Sequence, residues 1–163
     1  NSSSNSYAIK SINFSKKILD KQTLNILDLF TCSNYSAKSI NISGSNIIYS
    51  LSNYLLKEHN IPIGYAMFLF LPSYLEIFFE KLNNNLKINV CNSLLINNIS
   101  EIVKLLDEIL KILIKKNIYI KLKKNKNLID NLFKNIDSNS LKNFKFNDKK
   151  NNYLIVLNSF NKI

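Results

Sequence analysis

The chain has 163 residues, 46% of them hydrophobic and 20% charged, so it can bury a core without metals or several disulfides, and disorder is disfavoured. Two glycines and two prolines exclude collagen, Gly-rich linkers and the standard phosphate-cradling loops. The net charge of +11 comes from 22 lysines and no arginine against 11 acids, and the missing arginines disfavour bidentate readout of nucleic acid.

Residues 1–6 read as a polar tail, and residues 7–19 carry a weak helical pattern through Ile9, Ile12 and Leu19. Residues 24–31 are short, apolar and bounded by polar runs, which predicts a strand. A polar connection follows over 34–45, ending at Gly44. Residues 46–59 place Ile47, Ile48, Leu51, Tyr54 and Leu55 on one helical face, with Ser45 as N-cap. Residues 65–71 are apolar on both faces and stop at Pro72, which predicts a central strand buried on both sides.

Ser73 and Glu76 have capping-box spacing, so a helix is expected there, with Leu75, Phe78, Phe79 and Leu82 inward and Asn83, Asn84 and Asn85 at its end. Residues 87–91 alternate and predict a strand with Ile88 and Val90 inward. Asn98 and Glu101 mark a second helix start. That helix runs to about Lys116 on a stripe of Ile102, Val103, Leu106, Ile109, Leu110 and Leu113. Ile118, Ile120 and Leu122 alternate with Tyr119, Lys121 and Lys123 as a half-exposed strand. Leu128, Ile129, Leu132, Phe133 and Ile136 fit a short helix, residues 137–152 read as a polar loop, and 153–157 as a last strand. The order after the first helix is β-α-β-α-β-α-β-α-β. The expected fold is a single α/β domain over 1–163, layered, with a weak internal strand–helix repeat.

Catalytic chemistry finds little footing. His59 is the single histidine and falls at a predicted helix end, where such a residue needs no catalytic role. Cys32 and Cys91 form no Cys-x-x-Cys motif and read as free thiols. No close pair of metal ligands occurs, so no metal and no cofactor are expected. The apolar run between Glu58 and Glu76 contains His59, Asn60, Pro62, Gly64 and Pro72, which predicts no membrane span.

Two segments stand out. Tyr65, Phe68, Phe70, Tyr74, Phe78 and Phe79 put six aromatics in 15 residues. Core packing accounts for such density, and so does an apolar groove for polypeptide bordered also by residues 47–55. Lys115, Lys116, Lys121, Lys123, Lys124 and Lys126 form the densest basic stretch, with no acid among them. A strand edge blunted by lysines accounts for it, as does a patch for an anionic partner, lipid or RNA.

Three places carry a resemblance to a family. Leu27-Asp-Leu-Phe-Thr31 with Asn34, the aromatic-rich Tyr65–Leu82 followed by Lys87–Val90, and Ile118–Leu122 followed by Leu128–Ile136 resemble, in order, units of the twenty-two-kilodalton Tic protein family. These are the small intermembrane-space components of the plastid protein-import translocon. The overlap spans about 24–136. The resemblance implies an α/β fold with internal pseudo-symmetry, no cofactor and no enzymatic activity. It implies a chaperone-like role, with unfolded preproteins or other translocon subunits as partners. It also implies a peripheral place in the plastid (apicoplast) envelope or intermembrane space, where contact with an anionic membrane fits the lysines. The alternative is a basic structural subunit of an organellar assembly such as a ribosome, contacting RNA.

Overall fold

A computed structural model describes residues 2–21, 25–43, 47–120, 122, 126–134 and 149–163. Every regular element among the described residues is an α-helix, which overturns the α/β expectation and its strand–helix repeat. In chain order they are α1 Ser2–Lys21, α2 Ile26–Ser43, α3 Ile47–His59, α4 Ile63–Glu80, α5 Asn84–Leu94, α6 Ile99–Lys115, α7 Lys126–Lys134 and α8 Lys149–Phe160. They fall into two compact units, Asn1–Ser45 and Asn46–Ile163.

Each predicted strand is corrected by the helix that contains it. Residues 26–31 of the expected strand 24–31 belong to the 18-residue α2. Residues 65–71 and the helix expected after Ser73 are one continuous helix, α4, with Pro72 inside it. Pro72 donates no N–H to the Phe68 carbonyl, yet the helix continues because both flanks are strongly apolar and packed. Residues 87–91 lie within α5, and 153–157 within α8. Residues 118–120 are turns that follow α6. The Ser73–Glu76 capping box is likewise corrected, since Ser73 sits mid-helix with its hydroxyl buried and unpartnered. Residues 2–6, expected as a tail, form the first turns of α1. Residues 149–152 of the expected loop open α8. Gly44, Ser45, Leu24, Lys121, Lys123, Lys124, Ile136 and 137–148 lie outside the described residues.

Four predicted helices stand, the first being 7–19 within α1. In α3, Ile47, Ile48, Leu51 and Leu55 are buried on one face, and Tyr54 is half-buried. At the start of α6, Asn98 Oδ1 accepts from the Ser100 N–H at 3.1 Å, and Glu101 Oε1 accepts from the Asn98 N–H at 3.2 Å. The reciprocal pair satisfies backbone donors that the first turn leaves free. In α7, Leu128, Ile129 and Leu132 are buried.

With glycine scarce, asparagine takes over at helix ends. Asn60 after α3 and Asn117 after α6 both adopt positive φ, 55° and 58°. Asparagine visits this left-handed region more readily than other non-glycine residues. After Asn117, the Ile118 N–H reaches back to the Leu113 carbonyl at 3.2 Å and closes the end of α6. Asn83, expected to end a helix, instead caps α5 by accepting from the Leu86 N–H at 2.9 Å.

In the larger unit α4 is the central helix, packed by α3, α6 and α8. Its buried residues Ala66, Leu69, Phe70, Ser73 and Tyr74 follow helical spacing. Phe70 is fully buried, with its ring 6.2 Å from that of Phe160. A helix covered on several sides is apolar nearly all round. By length and composition, α4 is the one helix among the described residues able to cross a bilayer. A third of that window is buried, where α4 packs against α3, α6 and α8. In the smaller unit α1 and α2 pair antiparallel, Ser4 meeting Ser39 and Ser11 meeting Cys32.

Candidate polypeptide-binding site

The six aromatics do not act together. Phe70 and Tyr74 are core residues. Tyr74 stacks on Phe78 at 5.4 Å, and burial pushes its phenol pKa far above the usual value. Phe68 is half-buried, while Tyr65 is exposed and offers its backbone carbonyl to Tyr119. Ile47, Ile48, Leu51 and Leu55, expected to border the groove, are sealed in the core.

Phe79 lines a cavity of about 400 Å³, which it shares with residues of α5 and of the loop before α6. Phe79, Ile88, Cys91 and Ile96 give it an apolar lining, and Asn92, Asn97 and Asn98 supply amides. The local causes are visible in the backbone. The Asn83 cap starts α5 and sets Lys87, Ile88 and Cys91 on successive turns toward the end of α4. The Lys87 ammonium lies 5.7 Å from the centre of the Phe79 ring, within range of a cation–π contact. The Asn98 carboxamide is engaged in capping, whereas Asn92 and Asn97 are exposed at the rim.

The surroundings are apolar and unburied. Ile88 is 57% exposed, and Leu86 and Leu95 of the same helix and its end are also exposed. Leu95 ends α5 in the left-handed region, φ 55° and ψ 46°, a conformation that costs a branched, non-glycine residue roughly 1–2 kcal/mol. A costly backbone that presents an apolar side chain to water is a pattern of binding sites.

Chemically, the cavity offers apolar contact and amide hydrogen bonds. Among the described residues no group of three or more His, Cys, Asp or Glu side chains converges. His59 lies in the last turn of α3, its ring 6.1 Å from that of Tyr54. Cys32 and Cys91 are both free. Lys115 and Lys116 are exposed at the end of α6, Lys126 opens α7, and turns stand at 118–120 where the strand edge was expected to begin. Sequence reasoning missed Ile88, Cys91 and Ile96 as cavity residues. The available signal was Asn83 as a cap followed by Val90, Cys91 and Leu94 at helical spacing. No protein-family model, curated protein or solved structure matches the chain.

Proposed function

We propose that the Asn46–Ile163 unit is a non-enzymatic polypeptide-binding domain that holds short apolar stretches of unfolded chains at the α4–α5 corner. The observation that carries this reading is the cavity, with Phe79, Ile88, Cys91 and Ile96 for an apolar side chain and the exposed amides of Asn92 and Asn97 for the peptide backbone beside it. Small sites of this kind are mostly apolar with a few placed polar groups. Unfolded preproteins fit as the client class. The plastid-translocon resemblance rested on strand–helix units, and helices, with turns at 118–120, stand in place of the strands among the described residues, so the cavity chemistry and not that resemblance supports the reading.

The test is fluorescence anisotropy of a labelled, permanently unfolded polypeptide titrated with the full chain. Binding is expected. Ile88→Ser, at a side chain already 57% exposed, should weaken it about fivefold, the effect of losing about 1 kcal/mol of apolar contact. Ile120→Ser, at an exposed residue outside the cavity, should leave it unchanged. Absence of binding, or equal loss in both variants, overturns the proposal.

A further inference from the structure

The α1–α2 hairpin leaves part of its apolar surface uncovered. Its seam combines an aromatic stack, Tyr7 and Phe14 lying 6.0 and 5.9 Å from Tyr35 across the pair, with small polar groups. Ser4 Oγ donates to the Ser39 carbonyl at 3.2 Å, and Ser11 Oγ donates to the Cys32 carbonyl at 3.0 Å. The Ser15 hydroxyl lies 2.9 Å from Cys32 Sγ. Other large apolar residues face outward. In the first two turns of α2, Ile26 is 83% exposed, Leu27 70%, Leu29 43% and Phe30 68%. An amphipathic pair in water turns those residues inward.

Asp28 lies within this tip, and two lysines stand farther along the hairpin. The Lys10 ammonium lies 5.5 Å from the Tyr35 ring, and that of Lys38 lies 5.8 Å from the Tyr7 ring. Neither is in a salt bridge among the described residues.

We infer that the α1–α2 hairpin binds the surface of an anionic lipid bilayer, with Ile26, Leu27 and Phe30 entering the acyl boundary and the lysines meeting the headgroups. RNA would take the lysines and rings but leaves the apolar tip without a role. A protein partner or a second copy would take the tip but leaves the lysines over the tyrosine rings without a role. A bilayer surface takes both, since interfacial helices combine buried apolar area with attraction to anionic lipid.

The full chain contains no tryptophan, so Phe30→Trp provides a single reporter at an exposed position. With vesicles of phosphatidylcholine and phosphatidylserine at about 70:30, its emission should move to shorter wavelength, and brominated acyl chains should quench it. Lys10→Gln and Lys38→Gln should each weaken vesicle binding about fivefold, and added salt should weaken it further. Leu27→Ser should weaken it about tenfold, while circular dichroism shows the helices retained. Short-wavelength emission before lipid is added would mean that the tip is covered by this chain or a second copy, and overturns the inference. So does equal binding to vesicles of phosphatidylcholine alone, or binding of single-stranded RNA with no response to vesicles.

Discussion

The Tyr119 hydroxyl donates to the Tyr65 carbonyl oxygen at 2.7 Å, joining residues 54 apart in sequence. The bond fastens the turns after α6 to the first turn of α4. Tyr119 is only 4% exposed, so little water competes for the pair. Tyr119→Phe keeps the ring and removes the donor. Its expected cost is about 1 kcal/mol, read as a lower midpoint in urea unfolding with an unchanged slope.

Stability should also fall at alkaline pH. Burial raises the phenol pKa of Tyr74, and burial together with nearby Tyr65 raises that of Tyr119. The folded chain therefore holds these protons more tightly than the unfolded chain, whose phenols titrate near about 10. Their contribution is complete below about 10 and is lost as pH rises from there toward the folded values. Tyr74→Phe combined with Tyr119→Phe should flatten the fall above about pH 10, measured by urea unfolding across that range. An unchanged slope would mean that lysine deprotonation dominates.

Helix α6 was readable because an Asn cap, a Glu three residues on and an unbroken apolar stripe all agreed over 17 residues. Helix α4 was not, although Ala66, Leu69, Phe70, Ser73 and Tyr74 carry the helical period. Pro72 divided that pattern into a short apolar run and a fresh helix start, and tertiary packing overrode the local signal. With 24 isoleucines, short windows in α2, α5 and α8 also have the β-branched look of strands. The scarcity of glycine and proline was the better guide, because a sheet of many short strands needs more turn residues than this chain has. At the site, aromatic density pointed to Phe79, while its partners on α5 were hidden by the strand reading of that segment.

Core and cavity aromatics should separate on substitution. Phe70 is fully buried against Phe160, so Phe70→Ala should cost about 3–5 kcal/mol. Phe79 is half-buried at the cavity, and Phe79→Ala should cost well under half of that while weakening capture of an unfolded polypeptide. Equal losses of stability in the two variants would return Phe79 to the core.

The hydroxyls of Ser52 and Ser73 are buried without a hydrogen-bond partner, and both residues are fully buried. A donor in that position loses its water and gains nothing. Alanine removes the hydroxyl and is the better helix former. Ser73→Ala should therefore stabilise the chain by about 1 kcal/mol, seen as a higher urea midpoint. Destabilisation would reveal a hydrogen bond to that hydroxyl in solution.

Leu95 gives the sharpest test of whether strain serves binding. It holds φ 55° at the end of α5, and the next N–H, from Ile96, bonds the Cys91 carbonyl at 3.1 Å. Asn60 and Asn117 hold the same conformation at the ends of α3 and α6, so asparagine suits such an end in this chain. Leu95 is 69% exposed, and replacing it gives up little burial. Leu95→Asn should thus raise stability by about 1 kcal/mol through relief of the left-handed strain, measured by urea unfolding. If the leucine is retained for the cavity at α5, the same variant should bind an unfolded polypeptide less tightly, by about fivefold. A gain in stability with unchanged affinity would remove Leu95 from the site, and a loss of stability would show that the leucine packs against the cavity rim in solution.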